Sequence, residues 1–307
     1  MHPPSRAGRI RTVVLWRHRE TWLFDSPIVK IGLLEVPPAS DAWRVDCVTP
    51  ERPQIAFPTR SIRTSLIGVP ARRADRVITP MHAMLSSRGW HYRRTLIDDR
   101  GERSGVFQFS DETLAEAYGG LTRRFEAGVA TIEPRLFALQ QRLVRTLLAE
   151  PRREPLWVEE HAVSVLRACA RSDGSDGSVR SMDRRRATTL DAHAEAVREA
   201  WRFMHEHLST PISLADVGRA VHQSPAHFAR VFRSMTGETI ARSFLQLRLR
   251  RALIDVLDTR DELWSIARRW GFADLAQFSK AFRAAFGEPP SAVRRGLRAR
   301  AGQVRTI

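Results

Sequence analysis

The sequence predicts an α+β protein, with a small β-rich N-terminal domain and an all-helical C-terminal domain. Three observations support this fold class. Short apolar runs separated by Pro, Gly and Asp fill the chain to about residue 109. From residue 111 apolar side chains recur at helical spacing. Near the C-terminus, residues 224–238 are closely matched by residues 274–288, so one motif occurs twice.

The N-terminal region has the pattern of several short strands. β-Branched and aromatic residues cluster between breakers such as Val36-Pro-Pro and Phe57-Pro-Thr. Many short strands at close spacing are typical of a small sandwich or barrel. The predicted strands cover residues 11–15, 29–36, 54–57, 63–68, 83–86 and 105–109.

Helical periodicity then predicts three helices, with apolar residues at 114–121, 137–148 and 158–169. These helices either cover the β unit or pair with a second copy in a homodimer. The stretch that follows is rich in Gly, Ser, Asp and Arg and lacks apolar periodicity, which predicts a flexible linker. The expected division is an N-terminal sensing or dimerisation domain at 1–171, a linker at 172–189 and a helical domain at 190–307.

Charge indicates the kind of partner. The 307 residues carry a formal net charge of +16, which favours an anionic partner, either nucleic acid or a membrane surface. No run approaches the roughly 20 apolar residues needed to span a bilayer, and no secretory signal is visible. Cys47 and Cys169 offer neither a disulfide framework nor metal-ligand spacing. We therefore expect a cytoplasmic protein without a membrane partner.

The first copy of the motif predicts two short helices joined by a tight turn. Ser213 and Asp216 form a capping box at the start of the first helix, and Ser224 caps the second, with Pro225 at its first position. The residues expected to be buried are Leu214, Val217, Val221, Phe228, Val231, Phe232 and Met235. The outward residues of the second helix are Ala226, Ala229, Arg230 and Arg233.

The second copy follows the same pattern. Asp274 caps its second helix, and Gln277 completes a capping box. The residues expected to point inward are Phe278, Ala281, Phe282 and Ala285; those expected to point outward are Ala276, Ser279, Lys280 and Arg283. A long helix over about 240–257 joins the copies. Paired helices with small and cationic outward residues describe helix-turn-helix motifs, which would enter major grooves about 34 Å apart.

With these features, residues 195–297 resemble the DNA-binding domain of the AraC/XylS family of bacterial transcription regulators. The matching positions are Ser224, Phe228, Arg230, Phe232, Thr236, Gly237, Arg248, Leu249, Ala252, Ile266, Ala267, Gly271, Phe272, Asp274, Phe278, Phe282, Gly287, Pro290 and Arg294. Departures occur at Gly218, His222, Ser243 and Val293. Because His222 stands where a turn glycine is usual, we expect it to adopt a positive φ.

The resemblance implies a regulator that binds promoter DNA, with RNA polymerase, a small-molecule effector and a second copy as further partners. It implies a cupin-like N-terminal domain. It also implies that six side chains face bases: Ala226, Ala229, Arg230, Ala276, Gln277 and Lys280. Arg233, Arg283 and the basic residues of the linking helix are then expected to contact phosphates.

Two other functions remain open. One is a cupin-type metal enzyme fused to a DNA-binding module, but His82 and His91 are the only histidines of the central β region and form no HxH pair. The one such pair, His205 and His207, lies on a predicted helix, where side chains two residues apart diverge. We therefore predict no catalytic residue, metal or cofactor, and no enzyme activity. The other is a regulator that works only through protein contacts, with residues 111–170 as the partner surface.

Overall fold

The computed structural model describes residues 19–49, 52–67, 75–86, 89–97, 99–118, 128–172 and 184–303. The strand predicted at 11–15 and residues 173–183 of the predicted linker lie outside these ranges. The described residues form two antiparallel sheets followed by a series of helices. The coarse prediction of a β-rich N-terminal region and a helical C-terminal region is confirmed.

Ten strands build the two sheets. They are β1 (Arg19–Asp25), β2 (Val29–Val36), β3 (Asp46–Val48), β4 (Gln54–Pro58), β5 (Ile62–Leu66), β6 (Asp75–Ile78), β7 (His82–Ser86), β8 (His91–Leu96), β9 (Glu102–Phe109) and β10 (Gly128–Thr131). The larger sheet has the order β1-β2-β9-β4-β7-β10, and the smaller one has the order β3-β8-β5-β6. A 3₁₀ turn, Asp41–Trp43, precedes β3.

Five of the six predicted strands match β2, β4, β5, β7 and β9, whereas β1, β3, β6, β8 and β10 were not predicted. Strand β8 shows why. Its inward positions are Tyr92 and Arg94, so its sequence lacks the apolar alternation that marks a half-buried strand. Arg94 is buried because its Nη1 donates to Glu102 of β9 at 3.0 Å, an ion pair that also joins the two sheets.

The two faces of the larger sheet have different partners. One face carries Ile31, Ile55 and Phe107, which lie in register on β2, β4 and β9 and belong to the main apolar core. The other face carries Leu34, Ala56 and Val106, which form a smaller cluster with five further side chains. The alternation of facing directions along each strand produces this division.

Ten α-helices follow or flank the sheets in the described chain. They are α1 (Asp111–Ala117), α2 (Pro134–Ala149), α3 (Pro155–Ser172), α4 (Arg184–Glu206), α5 (Leu214–Ala220), α6 (Pro225–Thr236), α7 (Ile240–Asp258), α8 (Leu263–Arg269), α9 (Leu275–Phe286) and α10 (Pro290–Gln303). The three helices predicted between 111 and 171 correspond to α1, α2 and α3. Helix α4 begins at Arg184, so residues 184–189 are helical and the predicted linker extends too far.

The helices are not a separate body from the sheets. One cluster of buried hydrophobic side chains runs from Ile31 and Phe107 of the larger sheet through Phe137 of α2 to Leu253 of α7 and Phe282 of α9. Helix α2 packs against β9, α7 and α9, and α4 packs against β6. The N-terminal unit, which we define as the described residues from 19 to 172, is therefore docked on the C-terminal helices.

Candidate nucleic-acid interface

Helices α5 and α6 form the first helix pair. The predicted capping box is confirmed: the Asp216 amide donates to Ser213 Oγ at 3.2 Å, and the Ser213 amide donates to Asp216 Oδ2 at 2.8 Å. The Ser213 hydroxyl and amide, both donating to the Asp216 carboxylate, lower its pKa. This reciprocal bonding fixes where the first helix begins.

The turn of the first pair depends on an unusual backbone conformation. His222 has a φ of 53°, the positive value expected from its position, and is the one non-glycine residue with positive φ among those described. The Gln223 amide donates to Gly218 O at 2.9 Å across the turn. A Cβ at Gly218 would lie 2.9 Å from Gln223 O, so the glycine permits this close approach.

Helices α8 and α9 form the second helix pair with equivalent contacts. The Phe272 amide donates to Ala267 O at 3.0 Å, as Gln223 does to Gly218, but here the positive-φ residue is Gly271, at 73°. Asp274 Oδ1 accepts from the Gln277 amide at 2.6 Å and caps α9 as predicted. The connection between the helices is one residue longer than in the first pair, because the caps lie at 270 and 274 rather than at 221 and 224.

Both second helices bury a row of aromatic rings. Phe228 and Phe232 of α6 meet edge to face at 5.9 Å, and Phe278 and Phe282 of α9 do so at 5.4 Å. All four side chains are fully buried. Each helix ends at a left-handed glycine, Gly237 or Gly287, whose amide bonds the helix end. The buried periodicity therefore fixes which face of each helix points outward.

Three local predictions for the first pair were wrong. Leu214 and Met235 are 42% and 41% exposed, because each lies at an end of its helix, where fewer neighbouring elements cover it. Ser224 stands at the N-cap of α6, but its side chain makes no capping hydrogen bond. Pro225 occupies the first turn as expected, where its missing amide hydrogen costs little.

The predicted DNA-contacting residues all lie on the two outward faces. Seven are exposed: Ala226, Arg230, Arg233, Ala276, Gln277, Lys280 and Arg283. Ala229 and Ser279 are partly exposed. None of the nine is buried. We use the term reading face for each of these two sets, 226–233 on α6 and 276–283 on α9.

The cations of the reading faces are unpaired within the described structure. Arg230, Arg233, Lys280 and Arg283 form no ion pair and no side-chain hydrogen bond with any other described residue. Three nearby arginines are paired instead. Arg219 pairs with Asp216, Arg242 with Glu238 at 3.0 Å, and Arg269 with Asp255 and Asp261 at 2.8 and 2.6 Å. All four of these side chains are exposed, so an external anion can reach them.

Gln277 differs from the other predicted base contacts. Its Oε1 accepts a hydrogen bond from the Ala273 amide at 2.9 Å, so this oxygen is engaged in closing the start of α9. In the predicted capping box, the Gln277 side chain would accept from the amide of Asp274, the N-cap residue. It accepts instead from the amide of Ala273, one residue earlier. The side-chain NH₂ group remains as the donor that can face outward.

Arg248 of the linking helix α7 holds the two pairs together. Its Nε donates to Leu208 O at 2.8 Å and its Nη2 to Thr210 O at 2.7 Å, just before the first pair. Its Nη1 donates to Gly271 O at 3.3 Å, in the turn of the second pair. Partial burial lowers the pKa of Arg248. One guanidinium therefore bonds the backbone next to both helix pairs.

The expectation that the basic residues of the linking helix contact phosphates was wrong for three of them. Arg248 is engaged with backbone carbonyls, while Arg250 and Arg251 are only 1% and 4% exposed and point into the N-terminal unit. Their positions on the buried side of a long helix could not be read from the sequence, because α7 has apolar residues around most of its circumference.

The histidines considered as metal ligands have other contacts. His82 Nδ1 lies 2.9 Å from Thr79 Oγ1, its ring meets Trp201 edge to face at 5.7 Å, and burial together with the charge of Arg250 lowers its pKa to about 4. His205 Nδ1 lies 3.0 Å from Ser61 Oγ. Across the described ranges, no three His, Cys, Asp or Glu side chains are grouped so that they could hold a metal ion.

Comparison with known proteins supports the DNA-binding interpretation. A family model described as a helix-turn-helix domain matches residues 217–296, which include both reading faces. The regulatory protein SoxS of Salmonella typhimurium is 26% identical over 106 residues, which cover 34% of this chain and 99% of SoxS.

Within the described part of the chain, no helix is long and apolar enough to cross a membrane.

Two solved structures are each similar to about a third of the chain. An AraC-type transcriptional regulator from Chromobacterium violaceum is 25% identical, with 36% of this chain and 96% of that chain covered, at a TM-score of 0.33. The DNA-binding domain of AdpA, solved in complex with a target DNA, is 28% identical, with 36% and 97% covered and a TM-score of 0.32.

The matched region and its exposed, cationic helix faces define the class of this protein as a DNA-binding transcription regulator. Residues 217–296 match a helix-turn-helix domain family, which supports the predicted resemblance to AraC/XylS regulators.

Proposed function

We propose that this regulator is sequence-specific and that its two helix pairs are two helix-turn-helix motifs reading successive major grooves of one duplex. One observation carries this proposal. Helices α6 and α9 each place small residues and unpaired cations on the outward face, opposite a buried row of aromatic rings. The small side chains of Ala226 and Ala276 let the helices sit deep in the major groove, which is about 12 Å wide.

The reading-face residues have separate roles. Arg230 and Lys280 donate to base edges, most favourably to guanine O6 and N7. Ala226, Ala229 and Ala276 contact bases closely, and Gln277 and Ser279 supply shorter polar contacts. Arg233 and Arg283, one turn further along each helix, contact phosphates and fix the register.

The domain division carries further parts of the proposal. Residues 1–171 form a cupin-like unit that senses a small molecule or dimerises, and residues 190–307 bind promoter DNA, with RNA polymerase as a partner. A buried Arg94–Glu102 pair joins the two sheets of this unit, and Arg94 also donates to Tyr92 Oη at 3.2 Å. We assign no catalytic role to the protein, and a DNA target agrees with a cytoplasmic location.

The test is a selection of bound duplexes from a randomised library at about 0.15 M salt, where nonspecific phosphate binding is weakened by counterion competition. Wild-type protein should recover one motif with two elements about 10 base pairs apart. On that motif, Arg230→Ala should cost about 1–3 kcal/mol and relax the preference at one base.

Two double variants separate reading from bulk charge. Arg230→Ala/Lys280→Ala should abolish recovery of the motif. Arg167→Ala/Arg202→Ala removes the same charge from arginines that pair with Glu116 and Glu199 away from the reading faces, and should recover the wild-type motif. Sequence-independent recovery by all three proteins, lost as salt rises, would overturn the proposal.

A further inference from the structure

The linking helix α7 contacts the N-terminal unit through two buried arginines. Arg250 Nη2 donates to Ile132 O at 2.6 Å, and Arg251 Nη1 donates to Thr59 O at 2.8 Å. The Arg250 guanidinium lies 5.7 Å over the Phe137 ring of α2. No carboxylate among the described residues pairs with Arg250, and its Nε is buried without a hydrogen-bond partner there. Its positive charge is therefore poorly compensated at this interface.

Ion pairs also join the N-terminal unit to the C-terminal helices. Asp258, the last residue of α7, accepts from Arg145 Nε of α2 at 2.6 Å and from Arg103 Nη1 of β9 at 3.1 Å. Glu288, two residues beyond α9, accepts from both Nη atoms of Arg142 at 3.2 and 3.1 Å. A bidentate pair of this kind fixes orientation as well as distance. Helix α2 thus holds the C-terminal ends of both α7 and α9.

The position of these contacts on α9 matters for its reading face. Ala276 and Lys280 lie in the first turns of the helix, whereas Glu288 follows its C-terminal end. Docking consequently holds α9 at one end and leaves its reading face exposed. Helix α6 has different neighbours and packs against α4, α5 and α7. The N-terminal unit therefore acts most directly on the second pair.

The C-terminal helices of this chain carry a contact surface for the N-terminal unit, and a DNA-binding domain of this kind can exist without one. The match to SoxS covers 99% of that protein with 106 residues, so SoxS has no room for a unit like residues 19–172. In this chain, the C-terminal helices bind such a unit through two buried arginines, Arg250 and Arg251, and two carboxylates, Asp258 and Glu288.

We propose that this docking is a positioning interface that sets the second reading helix relative to the first, and that Arg142, Arg145, Asp258 and Glu288 are its positioning residues. The inference rests on the proposed two-motif reading. A duplex fixes the distance and angle between successive grooves, so a preset second helix loses less orientational freedom on binding. Docking therefore raises affinity for two-element DNA and leaves one-element binding unchanged.

The experiment uses the full chain and two duplexes from the selection: the recovered motif, and the same motif with the element read by α9 scrambled. Arg142→Glu places a carboxylate opposite Glu288, while Arg142→Glu/Glu288→Arg restores the pair with the net charge of the wild type. Glu288→Arg alone controls for added positive charge, and thermal melting verifies that each variant is folded.

We expect Arg142→Glu to weaken binding to the two-element duplex by about 5-fold. Its affinity for the one-element duplex should stay within about 2-fold of wild type. The double variant should recover wild-type affinity for the two-element duplex. Unchanged or tighter two-element binding by Arg142→Glu, or an equal loss on both duplexes, would overturn the inference. If wild type itself fails to prefer the two-element duplex, the proposed function has failed instead.

Discussion

The two helix pairs carry the same buried pattern, yet they obtain their rigidity from different sources. The first pair begins at a complete capping box and turns through a strained histidine, His222. The second turns through Gly271, caps its outer helix with Asp274, and is held at its far end by the N-terminal unit through Glu288. A repeated motif can therefore keep the same outward side chains while the contacts that stabilise it differ.

The largest effect should come from breaking the turn of the second pair. Gly271→Ala requires a side chain at φ 73°, and its Cβ would lie 2.6 Å from Arg248 Nη2. The left-handed conformation costs about 1–2 kcal/mol, and displacement of a charged donor from its carbonyls costs about 1.5–3 kcal/mol. We expect the free energy of unfolding to fall by about 3 kcal/mol, as measured by urea denaturation. A loss no larger than the backbone cost of about 1–2 kcal/mol would contradict the role given to Arg248.

Acid should destabilise the folded protein at the contact between His82 of β7 and Trp201 of α4. Helix α4 also packs against α6, so this contact joins the first pair to the N-terminal unit. The neutral ring of His82 packs on Trp201, and its pKa is lowered to about 4 from the ordinary 6.5. Between these values only the unfolded chain binds the proton, so stability falls as pH drops from 6.5 to 4 and changes no further below that. The full loss is about 3 kcal/mol. Unfolding free energies measured across this range should lose much of their slope in His82→Gln.

A smaller effect should distinguish the caps of the two outer helices. Asp274→Ala removes the acceptor of the Gln277 amide and should destabilise the protein by about 1 kcal/mol. Ser224→Ala should change stability by less than about 0.3 kcal/mol, since that side chain makes no capping bond. Equal losses in the two variants, measured by thermal melting, would show that the caps are equivalent after all.

The smallest effect should be a gain at the turn of the first pair. His222→Gly relieves a strained φ of 53°, a gain of about 1–2 kcal/mol, and returns about 0.5–1 kcal/mol through the greater freedom of glycine in the unfolded chain. We expect a net stabilisation of about 0.5 kcal/mol in the same denaturation assay. A destabilised variant would mean that the histidine side chain contributes contacts of its own.

The sequence was most informative where local rules decide the structure. The capping box at Ser213, the cap at Asp274 and the positive φ of His222 depend on nearby residues, and all were predicted correctly. Strand β8 was missed because Arg94 becomes an interior residue only once Glu102 lies opposite it. The burial of Arg250 was missed for the same reason, because its partner, Ile132 O, is distant in sequence. Such long-range polar pairs leave no periodic signal.

The most direct test of the two-groove reading changes the spacing between the DNA elements. Helix α7 is a continuous helix from Ile240 to Asp258, tied by Arg248 to the backbone next to both pairs. Inserting about 5 base pairs, half a turn of the duplex, moves one element to the opposite face. We predict that equilibrium binding at about 0.15 M salt then falls to the level of a one-element duplex. Retention of full affinity after the insertion would contradict the claim that the two reading faces act together on one side of the DNA.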